Sequence, residues 1–134
     1  MHCTAAPNIA VIKYWGKREK KLILPINSSL SGTLHQDSLQ SSTVVVASKS
    51  FKEDTMELNG KAESIEKGRI ATVLAELRKH AQDFKDGDKV VVAHEDWKNF
   101  KIRIRSHNNF PTAAGLASSA SGLACLSTSP PRAL

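Results

Sequence analysis

"NNFPTAAGLASSASG", residues 108–122, decides how the rest of the chain is read. An apolar, β-like stretch ends at Asn108-Asn109; a proline follows at 111, then one glycine, then a run of alanines and serines. Three structures suit such a segment: a flexible linker, a helix of small residues packed close on a sheet, or a loop that holds phosphate between a strand and a helix. The last has a definite physical basis. A turn from strand into helix leaves the first backbone N–H groups of the helix without intrahelical partners, and these donors, with the helix dipole, attract an anion. Gly115 would let the backbone approach such a ligand closely. Ser118, Ser119 and Ser121 would add hydroxyls for phosphate oxygens or a magnesium ion. The segment is not the Walker type of loop, since no Gly-Lys-Ser/Thr follows. Leu116, Leu123 and Leu126 need burying, which makes the linker the weakest of the three.

The neighbouring patterns supply the strand and helix this loop requires. "FKIRIRS" (100–106) alternates Ile102 and Ile104 with Lys101, Arg103 and Arg105, the period of a half-buried strand. "KVVVA" (89–93) and "TVVVA" (43–47) read as further strands, and "NIAVIKY" (8–14) as a buried one. Pro25 separates two extended pieces, 22–24 and 29–35. "TMELNGK" (55–61) carries Asn59-Gly60 after alternating Met56 and Leu58, a strong hairpin signal. From Glu66 to Ala81 the period changes: Ile70, Val73, Leu74, Leu77 and Ala81 share one face of an amphipathic helix. Its terminal Arg78, Lys79 and His80 suit the negative pole of the dipole. "DFKDGDK" (83–89) reads as a turn, and Ala114 to Ser127 as a helix stopped by Pro130-Pro131. The order implies an α+β fold, a mostly antiparallel sheet with helices packed on one face.

At 134 residues the chain has the length of one domain. Its 24% charged residues are mixed in sign, which disfavours disorder, and the net charge of +6 favours anionic partners. Two cysteines make no disulfide framework, so a reducing compartment is expected. Cys125, between Ala124 and Leu126, reads as a buried thiol. With no apolar run of about 18 residues and no signal-peptide core, no membrane span is expected and the cytosol is the expected location. Histidines at 2, 35, 80, 94 and 107 lack metal-ligand spacing, and "HED" (94–96) reads as a turn. Asp86-Gly87-Asp88 lacks the ligand series of a calcium loop.

"KYWGKREKK" (13–21) is a second candidate for chemistry, with five cations among nine residues and Tyr14 and Trp15 between them. Such a segment can bind single-stranded nucleic acid by stacking and phosphate neutralisation. It can equally grip a small diphosphate, lysines acting as point charges and the rings as apolar walls. Arg18 to Lys21 read as a solvated loop, whereas Lys13 and Lys17 bracket the aromatics and a glycine.

"NIAVIKYWGKR", continuing through "LPINSSLSGTLHQD", together with "NNFPTAAGLASSASG", resembles the mevalonate diphosphate decarboxylase family. That family belongs to the superfamily of galactokinase, homoserine kinase, mevalonate kinase and phosphomevalonate kinase. The likeness runs from about Cys3 to Ser127, with "LNG" (58–60) the clearest match in the middle. It implies ATP- and magnesium-dependent conversion of mevalonate 5-diphosphate to isopentenyl diphosphate, the step of isoprenoid and sterol biosynthesis in which a phosphorylated tertiary hydroxyl leaves together with carbon dioxide. Phosphorylation turns a poor leaving group into a good one, and its departure draws electrons from the carboxylate's C–C bond.

By this resemblance Asn8 helps orient the substrate. Tyr14, Trp15, Gly16 and Lys17 line its pocket with Lys13 beside them, and Arg69 adds charge at the diphosphate. Pro111, Thr112, Ala113, Ala114, Gly115, Leu116, Ala117, Ser118, Ser119 and Ala120 form the ATP loop, with Ser118 or Ser119 reaching the magnesium that ATP carries. No nucleic acid or membrane partner is implied, and an intact member is expected to be a homodimer. The chain departs from the pattern at Pro7, directly before Asn8; at Gly32, where a β-branched residue is usual; and at Ser121, where alanine is usual and serine is expected to be harmless.

Family members are expected to be two to three times longer on ordinary domain arithmetic. Their later Ser-Gly-Ser…Arg loop and catalytic aspartate find no counterpart here. Residues 1–127 are therefore expected to form a partial amino-terminal ATP- and substrate-binding domain, followed by a tail, 128–134, unlike the family. Inactivity of this chain alone, partial exposure of Leu123 or Leu126, and poor stability follow as expectations.

Overall fold

The computed structural model describes residues 1–20, 22–111 and 115–128. In chain order the elements are β1 (His2–Ala5), β2 (Asn8–Ile12), β3 (Lys17–Glu19), β4 (Leu24–Pro25), β5 (Leu30–Thr33), β6 (Ser41–Ser48), β7 (Thr55–Leu58), β8 (Lys61–Glu63), α1 (Gly68–His80), β9 (Phe84–Asp86), β10 (Lys89–Val92), a 3-10 segment (His94–Asn99), β11 (Lys101–Asn108) and α2 (Ser118–Thr128). Among the described residues, no helix is long and apolar enough to cross a membrane.

A five-stranded sheet in the order β1-β6-β11-β7-β8 forms the centre. β6 and β11 pair antiparallel along their whole length, from Ser48 opposite Lys101 to Ser41 opposite Asn108. All other pairs in this sheet are antiparallel except β7, which runs parallel to β11. The alternation in "FKIRIRS" holds: Ile102, Ile104, Ser106 and Asn108 point inward, while Arg103, Arg105 and His107 face solvent. Leu74 of α1 and Leu126 of α2 join Val45, Ile102 and Ile104 in one apolar cluster, so both helices cover the same face. Each of these side chains contributes roughly 1.5–3 kcal/mol by leaving water. The expected architecture, α+β with helices on one face of a mostly antiparallel sheet, is therefore the observed one.

Local signals act where they were expected to. Asn59 and Gly60 take φ of +49° and +80°, turning β7 into β8. The helical face settles α1 on the core through Leu74, with Ile70, Val73 and Leu77 packed beside it. Asp54 ties α1 to the sheet: its carboxylate accepts two 2.9 Å bonds from the Arg78 guanidinium and one of 2.8 Å from the Ile102 N–H.

Several expectations need correction. The 8–14 stretch is not a buried strand. Among the described residues β2 pairs only with β5, in a two-stranded ribbon, and Val11 and Ile12 stay 73% and 55% exposed because no other described element lies over them. "DFKDGDK" is more than a turn, since β9 occupies Phe84–Asp86 and forms a hairpin with β10. β10 is itself largely exposed. The basic segment is not all loop: Lys17–Glu19 pairs with β4, although every residue of β3 is exposed. Of the two leucines expected to stay partly exposed, Leu123 does, being half-buried, whereas Leu126 is 2% exposed and a core residue.

"HED" opens the 3-10 segment, whose Trp97 plugs the core. The Trp97 indole donates to the Gln82 carbonyl at 2.8 Å, and its ring tilts against Phe100 at a centroid distance of 5.0 Å. The expected helix from Ala114 begins at Ser118. Thr112, Ala113, Ala114 and Lys21 lie outside the described residues, as does the 128–134 tail apart from Thr128.

Candidate functional site

A buried polar seam sets the position of α2. The inward alternation of β11 carries Asn108 to the end of the sheet, where its backbone N–H donates to Asn59 Oδ1 at 2.8 Å. The Ser41 hydroxyl donates to Asn108 Oδ1 at 2.6 Å and lies 2.5 Å from the Ser121 hydroxyl. Since Ser41 spends its one proton on Asn108, Ser121 is the donor to Ser41. Two residues along each strand, Thr43 and Ser106 share a 2.9 Å bond, and the Cys125 thiol donates to the Ser41 carbonyl at 3.2 Å. Burial of polar groups is tolerable here because each has a partner. Ser121 therefore does not offer its hydroxyl to a ligand, as the sequence reading supposed. It is 3% exposed and points into the protein. At this position, where alanine is usual by the resemblance, the serine hydroxyl takes part in the seam.

This seam holds the start of α2 at the mouth of a cavity of about 290 Å³. Ser118 and Ser119 line it from α2, Arg69 from the first turn of α1, and Lys67 from just before that helix. Met56, Leu58, Ile70 and Leu123 form apolar walls, with Ser106 and Asn108 at the sheet. Gly115 has φ of +75° and open space where a Cβ would project, so the backbone angle alone favours glycine. Ala117, directly before α2, also has positive φ, +51°. Pro111 is exposed, Leu116 is half-buried, and Ala120 lies in the first turn of α2. Two cations and two hydroxyls at a helix start therefore share a lining that is otherwise mostly apolar, a combination suited to an anion carried by an apolar group.

The other candidate residues form a second group. Asn8 opens β2 and donates from its side chain to Thr33 Oγ1 at 3.0 Å. Lys13, Tyr14, Trp15, Gly16 and Lys17 follow on the ribbon, with Trp15 77% and Tyr14 47% exposed. Asn27 organises them: its Oδ1 accepts the Trp15 N–H at 2.9 Å, and its Nδ2 donates to the Lys13 carbonyl at 3.3 Å. Ser29 donates to the Ile12 carbonyl at 2.8 Å. "PINSS" thus braces "KYWGK" through its polar side chains. Gly16 turns at φ of +66°, with Ile26 Cδ1 close against the space a Cβ would fill. None of these ribbon residues lines the cavity. Arg69 is grouped with Ser118 and Ser119, not with the aromatic-flanked lysines.

Nothing in the sequence marks Asn27 or Ser41 as part of a site, and Asn59 and Asn108 read there only as a hairpin turn and a strand end. The inward phase of β11 was the one signal available for Asn108. Among the described residues, no group of three or more His, Cys, Asp or Glu could hold a metal ion. The hydroxyls of Ser118 and Ser119 are hard oxygen donors of the kind magnesium accepts when it arrives with a nucleotide's phosphates, and to that extent the site fits the ion.

Comparison with known proteins places the chain in a family. A family model, the diphosphomevalonate decarboxylase-like N-terminal domain, matches residues 5–134. Diphosphomevalonate decarboxylase of Rattus norvegicus is 53% identical over 127 residues, covering 92% of this chain and 31% of the relative. The solved structure of mevalonate diphosphate decarboxylase from Trypanosoma brucei is 42% identical with a TM-score of 0.74, over 95% of this chain and 31% of that one. A structure of MDDEF in complex with MVAPP, AMPPCP and magnesium is 37% identical with a TM-score of 0.66, over 93% of this chain and 33% of that one. The chain thus spans about a third of the length of the curated relatives it matches. By this match over nearly its whole length, the chain belongs to the diphosphomevalonate decarboxylase-like N-terminal domain family.

Proposed function

We propose that these residues supply the nucleotide-phosphate cradle and the substrate ribbon for ATP-dependent decarboxylation of mevalonate 5-diphosphate to isopentenyl diphosphate, in a protein of the relatives' full length. The observation that carries this reading is the convergence of Arg69 and Lys67 with Ser118 and Ser119 on one cavity at the start of α2. The helix start and the two cations offset phosphate charge, Ser118 or Ser119 reaches the accompanying magnesium, and the apolar walls accept the part of the ligand that carries no charge. The exposed ribbon presents Lys13, Tyr14, Trp15 and Lys17 as a second, separate surface for the substrate diphosphate, with Asn8 at its base. Magnesium, when bound, neutralises the charge that develops on the transferred phosphoryl group. The cytosol is the compartment this proposal adopts, supported by two cysteines that are both in the thiol form.

A chimera tests it. Residues 5–128 of this chain replace the matching stretch of the rat enzyme, and carbon dioxide release is measured with ATP and mevalonate 5-diphosphate, using the monophosphate and unphosphorylated mevalonate as competitors. The chimera is expected to turn over the diphosphate, and Arg69→Ala within it to lower kcat/KM by about 10–100-fold, the scale of a lost charge-assisted contact. A folded chimera that is inactive, or that prefers mevalonate itself, overturns the proposal.

A further inference from the structure

Cys3 and Cys125 are 122 positions apart in sequence and adjacent in the fold. Cys3 lies in the edge strand β1, opposite Thr43 of β6. α2 packs across both strands, and the Cys125 thiol reaches the Ser41 carbonyl of β6 at 3.2 Å. The Cys3 sulfur lies 3.1 Å from the Thr128 hydroxyl, one helical turn beyond Cys125. Both are thiols, Cys3 half-buried and Cys125 completely buried.

We propose that Cys3 and Cys125 are an oxidisable pair that closes to a disulfide, fastening β1 to α2. The placement sets the order of events. A small disulfide oxidant such as oxidised glutathione meets Cys3 first, because Cys125 is shielded from solvent. The Cys3 thiolate attacks the oxidant's S–S bond, forming a mixed disulfide and releasing one glutathione thiolate, which takes up the proton that Cys3 lost. Cys125 then gives up its proton and attacks the Cys3 sulfur, releasing the second glutathione. The protein loses two electrons and two protons, and the oxidant becomes two thiols. Burial, and then the neighbouring Cys3, raise the Cys125 thiol above its ordinary range, so Cys125 acts as the buried, resolving thiol and not as the first to meet the oxidant.

The bond would join two elements that carry the site. β1 leads through Pro7 into Asn8 and the ribbon, while α2 begins with Ser118 and Ser119 at the cavity. Oxidation therefore fixes the spacing between ribbon and cavity, and reduction frees it.

The folded chain, treated with excess oxidised glutathione and then alkylated, is the experiment. The expected result is an intact mass lower by about 2 Da with no adduct, and a non-reduced tryptic digest containing the Cys3 peptide joined to the Cys125 peptide. Cys3→Ser and Cys125→Ala should each abolish the mass loss; the first changes only a half-buried position, so it serves if the second does not fold. In urea, where the two segments separate, closure should slow and glutathione adducts accumulate. A stable glutathione adduct at Cys3 in the folded chain, no reaction at either thiol, or a disulfide between two chains overturns the proposal.

Discussion

Replacing Ser41 with alanine removes the central link of the seam that positions α2. Ser41 is 0% exposed, and its partners Asn108 and Ser121 are 6% and 3% exposed, so water cannot substitute for the missing hydroxyl. The two partners fare differently. Ser121 can turn its proton fully to the Ser118 carbonyl, already 3.2 Å away, while Asn108 Oδ1 loses the hydroxyl that donates to it at 2.6 Å. One orphaned buried acceptor costs about 1–3 kcal/mol. The expected destabilisation is therefore near 2 kcal/mol, or roughly 6–10 °C in Tm for a chain of this size. Urea unfolding followed by far-ultraviolet circular dichroism measures it, with a lower midpoint and an unchanged slope expected. Removing both partners in Ser41→Ala/Asn108→Leu should restore at least half of the loss, because no buried polar atom is then left unpaired. A single variant within about 0.5 kcal/mol of the parent, or a double variant whose losses simply add, would refute the argument.

Other expectations concern the site and the backbone. In the full-length chimera, Arg69→Ala should weaken Mg-ATP binding at least about tenfold by isothermal titration, with Arg69→Lys in between; unchanged affinity would remove Arg69 from the site. Gly122→Ala should stabilise the chain by about 0.5–1 kcal/mol in urea, since an added Cβ in the helix meets nothing within 4 Å, whereas Gly115→Ala should destabilise it by about 1–2 kcal/mol because its φ is +75°. Equal effects would contradict the backbone explanation. Asn27→Ala should speed hydrogen exchange at the Trp15 amide, which donates to Asn27 Oδ1 at 2.9 Å, and leave α2 unaffected. The folded pKa of Cys125 is raised, so the folded state keeps its proton where the unfolded chain has lost it. That contribution is complete below the ordinary thiol range and is lost as pH rises through it towards the folded value. Cys125→Ala should flatten the alkaline fall in stability, and an identical pH profile would show that the thiol is not responsible.

The legible parts of the fold are those whose causes are local. Asn59-Gly60 forms its turn because two neighbouring residues tolerate positive φ, α1 lies where the 3.6-residue period places Leu74 inward, and β11 alternates as its isoleucines and arginines do. The helix after the 108–122 stretch was legible in outline from its leucines, although it starts at Ser118 and not at Ala114. Burial of β2 was misread because an apolar strand shows only that it suits an interior. Whether anything covers Val11 and Ile12 depends on elements remote in sequence. Ser121 was misread for a related reason: a hydroxyl in a serine-rich helix faces ligand or core according to helix phase, and that phase is set by Ser41 and Asn108, 80 and 13 positions away.

The sequence by itself determined the α+β class, the hairpin, the amphipathic helix and the family, because periodicity, turn chemistry and motif are properties of short runs. Only the tertiary structure decided that β7 lies parallel to β11, that Arg69 shares a cavity with Ser118 and Ser119 while Lys13 and Lys17 stand apart on a ribbon, and that Cys3 meets Cys125. Each of these joins residues far apart along the chain. Such pairings follow from how strands register and helices settle on a shared core, which no local pattern encodes.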